Sequence, residues 1–362
     1  MDDKEKKLQD KLRFAGEKVP SMKRRSETNN YYGRHIYMVT MAVEGRRPLL
    51  GVLTGSSTVP DGQSGAPCVV PTPLGQEVIR CWELIPRFHH EVRLLAFQLM
   101  PDHLHGVLFV QEEMEEHLGQ VISGFKAGCN KAYRRLVMEA EAVPLHTNSK
   151  GFSEYEVASP LPLPSECRLK KEDRRHGLLF ERGYNDLISK SYDMLPNLTA
   201  YLHDNPRRLA IKREHPDYFR VQFGVTVEGQ TYAAIGNRFL LDSPDMKQVQ
   251  LTRSLTEEQI KAKKDEFLAI AKGGTILVSP AISAGEQAVM RAVMDAHLPQ
   301  IFITPWGFNK FSKPGHQFFD ACAEGRLLLL APWPHQNERI PLTRGMCLAL
   351  NKMAEDIVRS KM

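Results

Sequence analysis

Beyond residue 245, short continuous apolar runs alternate with amphipathic segments, and this restricts the last third of the chain to very few architectures. The spacing predicts strands at 248–253, 275–279, 300–304 and 326–331. Helices are predicted at 257–271, 285–297, 317–324 and 343–359. Strands that are apolar on both faces have to be covered on both faces, which is the pattern of a parallel sheet between helical layers. The expectation is a Rossmann-like α/β domain over 245–362.

The earlier part has a different rhythm. A β-rich segment at 35–43 precedes a Gly/Ser/Pro-rich loop (55–73) and a helical pattern at 74–89. Strands at 91–100 and 104–111 follow, joined at Pro101-Asp102, then an amphipathic helix at 114–140. An irregular Pro- and charge-rich insertion covers 143–176, before a strand at 178–188 and a helix at 192–205. This order fits an α+β, ferredoxin-like (RRM-like) sheet with helices on one side, over 31–215. Residues 1–30 read as a polar arm and 216–244 as a linker with short strands. A chain of 362 residues exceeds one ordinary domain, so two are expected. No apolar run approaches the ~20 residues needed to cross a bilayer, and the first thirty residues lack the apolar core of a signal peptide. A cytoplasmic protein without membrane contact is expected. Six cysteines without a CxxC pair supply neither a zinc ribbon nor a redox motif.

The sharpest local signal is the run from Gln98 to Val110, Gln-Leu-Met-Pro-Asp-His-Leu-His-Gly-Val-Leu-Phe-Val. Side chains alternate faces along a strand, so His103 and His105 point the same way. Two imidazoles on one face can hold a divalent metal, although a His-x-His pair by itself is more often a surface or satisfied core pair. A second signal is Leu198-Thr-Ala-Tyr-Leu-His-Asp-Asn-Pro-Arg-Arg208. Tyr201 and Asn205 are one helical turn apart, and Pro206 is expected to end the helix at Asn205. The Asn205 carbonyl is then a candidate third, hard oxygen ligand. Taken alone, Tyr201 reads as half-buried core and Asn205 as a helix terminator.

The net charge of +5 is mild, but the basic residues cluster. Arg24, Arg25 and Arg34 form one group, Lys126, Lys131, Arg134 and Arg135 another, and Arg207 and Arg208 adjoin the tyrosine. Such groups suit a phosphate backbone, and any single one suits a solvated surface equally well. In the C-terminal domain, Ser279, Ser283 and Gly285 lie in a strand–turn–helix junction able to hold an anion, and Lys313 lies in a second such loop.

The two motifs together resemble the single-strand tyrosine transposases of bacterial insertion sequences, and in particular their REP-associated branch. Met100-Pro-Asp-His-Leu-His-Gly is similar to that family's histidine-hydrophobic-histidine (HUH) signature, and Tyr201-Leu-His-Asp-Asn205-Pro206 to its nucleophile motif. The resemblance covers roughly residues 30–215. It implies single-stranded or hairpin DNA as partner and Tyr201 as nucleophile. It further implies Mg²⁺ or Mn²⁺ held by His103, His105 and Asn205, a 5′-phosphotyrosine intermediate, and a homodimer. The C-terminal part loosely resembles the Rossmann-like domain of DNA-processing proteins, which implies a second single-strand site. The competing readings are a catalytically silent DNA-binding regulator and a nucleotide- or anion-binding enzyme centred on the C-terminal domain.

Overall fold

Strand β1 (Ile36–Ala42) is hydrogen-bonded on both edges, and the first sheet is organised around it. The computed structural model describes residues 29–142, 177–189, 191–336 and 341–360. Arg24, Arg25, nearly all of the polar arm and the 143–176 insertion therefore lie outside the described residues. The chain divides into two units between Ala210 and Ile211.

In the first unit, β2 (Gly51–Thr54) and β3 (Cys68–Pro71) form a two-stranded ribbon whose second strand falls inside the stretch read as loop. Helix α1 (Pro73–Glu83) starts at an N-cap, Thr72, whose hydroxyl accepts from the Gly75 N–H, with Pro73 in the first turn where its missing N–H costs nothing. A short helix α2 (Ile85–Phe88) leads into β4 (Val92–Leu99) and β5 (His103–Val110). Helix α3 (Leu118–Ala142), β6 (Asn185–Ser189) and α4 (Leu195–Glu214) follow. The sheet order is β4-β5-β1-β6, with every pairing antiparallel.

Helices cover both faces of this sheet, not one. On one face, Tyr37, Val39, Met41, Leu104 and Leu108 pack with Val78 and Trp82 of α1 and Val121, Ile122 and Phe125 of α3. On the other, Ile36, Val107 and Phe109 pack with Leu198 and Leu202 of α4. The apolar run Val107-Leu-Phe-Val110 accounts for this, because both of its faces need cover.

Helix α4 also runs past the expected stop: Pro206 lies inside it. The proline removes one backbone donor, but Leu202 before it and Ala210 and Ile211 after it are all buried, and Asp204 pairs with Arg207 and Arg208 across it. Tertiary packing thus overrides the local preference.

The second unit begins with a short helix α5 (Pro216–Phe219) and two strands, β7 (Gln222–Val227) and β8 (Gln230–Gly236). Then come β9 (Met246–Gln248), α6 (Glu257–Lys272), β10 (Ile276–Ser279) and α7 (Ala284–Asp295). They are followed by β11 (Gln300–Ile303), α8 (His316–Ala323), β12 (Leu327–Ala331) and α9 (Arg344–Arg359). The sheet order is β7-β8-β12-β11-β10-β9. Strands β9 to β12 are parallel, whereas β8 is antiparallel to β12 and β7 to β8. The sheet is therefore mixed, and the segment 216–244 read as a linker supplies two of its strands. One face packs on Leu350, Ala354 and Ile357 of α9; the other packs on α6, α7 and α8 through Phe267, Val289, Met290 and Phe319. No helix among the described residues is long and apolar enough to cross a membrane.

Candidate functional site

The strand register of the first unit sets the site. Thr40 of β1 lies opposite His105 of β5, and Ala42 opposite His103. Period-2 alternation puts both histidines on the sheet face that α4 covers. Their rings stand at 89° with centroids 4.9 Å apart. The Tyr201 ring, carried by α4, approaches His105 edge-on at 5.9 Å.

Each imidazole is held through Nδ1. His103 Nδ1 lies 2.6 Å from Asp102 Oδ1, and Asp102 is bridged in turn by Arg46 at 3.5 Å. His105 Nδ1 lies 2.8 Å from the Thr40 hydroxyl. When Nδ1–H donates to these oxygens, each Nε2 keeps its lone pair for a ligand. Such second-layer bonds orient metal-binding histidines and fix their tautomer.

The electrostatics agree. Burial, reinforced by the neighbouring His103 and Arg46 charges, pushes the His105 imidazole down to about 3. Burial alone would raise the Asp102 carboxyl, but the hydrogen bond and charge of His103, together with Arg46, outweigh it and hold the carboxyl below its ordinary value. The site therefore contains a buried neutral imidazole beside an ionised carboxylate.

That depression of His105 has a consequence for stability. The unfolded chain takes up a proton near the ordinary histidine value of 6.5, which the folded protein refuses down to about 3. The stabilisation is full above 6.5 and is lost progressively as pH falls toward 3. We expect metal-free protein to lose on the order of a few kcal/mol of stability across this window. Denaturant unfolding at a series of pH values checks this, with a flatter dependence expected in His105→Gln.

Asn205 lies one turn beyond Tyr201 and is 9% exposed, and its Nδ2 is buried without a hydrogen-bond partner. A buried N–H donor of this kind calls for an acceptor, such as a water or substrate oxygen. Among the described residues, no three His, Cys, Asp or Glu side chains cluster as a metal site. A cation held by the two Nε2 atoms would thus need amide, substrate or water oxygens to complete its shell, which suits Mg²⁺ or Mn²⁺. Tyr184 is 8% exposed and belongs to the core on the opposite face, whereas Tyr201 is 42% exposed on the histidine face.

The basic residues divide. The Lys126 ammonium donates to the carbonyls of Glu181 (2.8 Å) and Gly183, so it clamps the loop before β6 and is not displayed as a phosphate contact. Arg135 pairs with Glu77 at 2.9 Å, and Arg134 has its Nε buried. Arg207 and Arg208 share the Asp204 carboxylate. Lys131 is exposed. Arg34 is exposed with its guanidinium over the Phe109 ring at 5.4 Å, on the same strand and face as the histidines.

In the second unit the expected anion junction is already filled. The Glu286 carboxylate, 2% exposed, accepts from the backbone N–H groups of Leu251, Ile282 and Ser283. Ser279 donates to the Val249 carbonyl, the Ser283 hydroxyl caps α7, and a Cβ on Gly285 would meet Leu251 at 3.1 Å. An internal carboxylate holds the amides that an external anion would need. Lys313 is exposed in the β11–α8 loop.

Sequence reasoning missed Thr40, Asp102 and Arg46 as site residues. Asp102 was in plain view before His103, but Thr40 becomes visible only through the β1–β5 register.

No family model matches the chain. An uncharacterized protein of Haemophilus influenzae is 25% identical over 127 residues, covering 29% of this chain and 64% of that protein. The chain thus spans less than two thirds of that relative's length. Among solved structures, a REP-associated tyrosine transposase bound to a REP hairpin aligns over 50% of this chain and 73% of its own, at 13% identity and a TM-score of 0.28. DNA processing protein A from Helicobacter pylori, described with a single-stranded DNA binding mode, aligns over 39% of this chain and 67% of its own, at 16% identity and a TM-score of 0.30. The structural neighbours are thus a transposase and a single-strand DNA-binding protein, at similarity too low to carry the site chemistry.

Proposed function

We propose that the first unit nicks and rejoins single-stranded DNA, with Tyr201 as nucleophile and a divalent cation held by His103, His105 and Asn205. The observation that carries this reading is the convergence on one sheet face of two imidazoles tied down by Nδ1 with a half-exposed phenol 5.9 Å from the nearer ring. It rests also on the two motifs that bring these residues together.

A phenol with a reference pKa of about 10 is a weak nucleophile at neutral pH. A cation held by His103, His105 and Asn205 would supply Lewis-acid activation of the scissile phosphate. The protein's own groups do the rest. Burial keeps His105 neutral as a lone-pair donor, Asp102 and Thr40 hold the rings, and α4 presents the Tyr201 oxygen. The Tyr201 oxygen bonds to phosphorus, the bond to the 3′ oxygen breaks, and the phenolic proton ends on the freed 3′ hydroxyl. The phosphodiester energy is kept in the 5′-phosphotyrosine, so attack by a 3′ hydroxyl reseals the strand. Arg34, exposed over Phe109 on this face, is a candidate contact for the phosphate backbone.

The test is a hairpin-containing single strand, labelled on the 3′ side of the nick, incubated with the protein and Mg²⁺ or Mn²⁺. A label that migrates with protein on a denaturing gel is expected, and a label that never does so with either cation rejects the reading. Asp102→Asn keeps an acceptor for His103 but removes its charge. It is expected to weaken Mn²⁺ binding by roughly 10- to 100-fold in titration calorimetry, and unchanged affinity would separate Asp102 from the metal.

A further inference from the structure

The second unit carries a cleft of about 370 Å³ outside the filled Glu286 junction. It is lined by Pro305 and Trp306 after β11, Trp333 and Gln336 after β12, and Gly345 and Met346 in the first turn of α9. In open parallel sheets, ligands bind beyond the carboxyl ends of the strands, and both tryptophans stand at such ends. The chain has three tryptophans; Trp82 is buried in the first unit, and the other two line this cleft.

The cleft is built in advance. The loops after β11 and β12 touch backbone to backbone: a Cβ on Gly307 would fall 2.1 Å from the Pro334 carbonyl carbon, and His335 Nδ1 donates to the Gly307 carbonyl at 2.9 Å. Trp333 packs on the sheet core, whereas Trp306 is 37% exposed. Arg344, exposed, immediately precedes Gly345 of the lining. Large aromatic faces, an amide able to read a ring edge, and an arginine next to the lining together select a flat heteroaromatic ring with a negative group attached. The volume lies near the small end of ligand sites, enough for a single such unit.

We propose that the Trp306–Trp333 cleft binds one nucleotide, its base stacked on indole and its phosphate toward Arg344. That unit is either a free mononucleotide or one residue of a single strand, and the chemistry of recognition is shared. The proposal does not depend on the Tyr201 site.

The experiment follows intrinsic tryptophan fluorescence of the full chain with four nucleoside monophosphates in one arm and short single-stranded oligonucleotides in the other. Saturable quenching is expected, because two of the three emitters are in the cleft. Quenching by mononucleotides identifies the free ligand; quenching by oligonucleotides alone identifies the strand. Base–aromatic stacking predicts that Trp306→Ala weakens binding, measured by equilibrium dialysis, by roughly tenfold or more, and Arg344→Ala is expected to weaken it as well. No saturable quenching in either arm, or wild-type affinity in both Trp306→Ala and Arg344→Ala, overturns the proposal.

Discussion

Tyr201→Phe is expected to reduce covalent attachment of DNA to the level of a protein-free control, while leaving the fold intact. The substitution removes one oxygen from a ring that is 42% exposed, so stability should change by no more than about 0.5 kcal/mol. It leaves the His103–Asp102 and His105–Thr40 bonds in place, so Mn²⁺ affinity should also be retained. A variant that folds and binds metal but forms no adduct isolates the chemical step. Tyr184→Phe is the matched control: that hydroxyl belongs to the core of the opposite face, and its loss should leave the adduct in place. Adduct formation that persists in Tyr201→Phe and vanishes in Tyr184→Phe would move the nucleophile.

Gly106→Ala is expected to have the largest effect on stability. Gly106 separates His105 from Val107 on β5, and a Cβ there would lie 2.3 Å from Cη2 and Cζ2 of Trp82. Trp82 has little room to retreat, since it is 2% exposed and packed against Phe97 at 5.4 Å and Phe125 at 5.6 Å. Overpacking costs of about 2–3 kcal/mol or more follow, which lowers Tm by roughly 5–10 °C in calorimetry of a unit this size. Part of the strain should reach His105 through the backbone and weaken metal binding as well. Trp82→Leu in the Gly106→Ala background makes space and should recover part of the loss, a non-additivity that a simple propensity effect would not produce. A single variant melting within about 1 °C of wild type would show that the sheet and α1 are not packed this closely.

Part of this protein is legible in its sequence. The helices of the second unit and its strands β10 to β12 fall close to their predicted positions, because each apolar run is long enough to need cover, whereas the strand expected at 248–253 forms at Met246–Gln248. The His103–His105 pair is legible for a related reason: a strand has a period of two, and Pro101-Asp102 marks its start. The linker reading failed because β7 and β8 alternate polar and apolar residues weakly, and the pair joins the sheet only through the pairing of β8 with the distant β12. The helix stop at Asn205 failed because a proline rule is local, whereas the buried residues on either side of Pro206 hold the helix together. The anion junction failed because Glu286, read only as part of a helix start, turns back onto the amides it was expected to leave open.

From its residues alone the chain determined which segments alternate, which side chains share a face and which residue types could perform phosphoryl chemistry; these follow from short-range geometry, in which neighbours are two to four positions apart. Only the tertiary structure decided that α4 covers the histidine face and brings Tyr201 to His105. It also decided that Thr40 holds that ring from 65 positions away in sequence, and that two tryptophans from separate loops line one cleft. Those pairings depend on strand register and on the competition among apolar surfaces for burial, and neither is encoded within any one stretch of sequence.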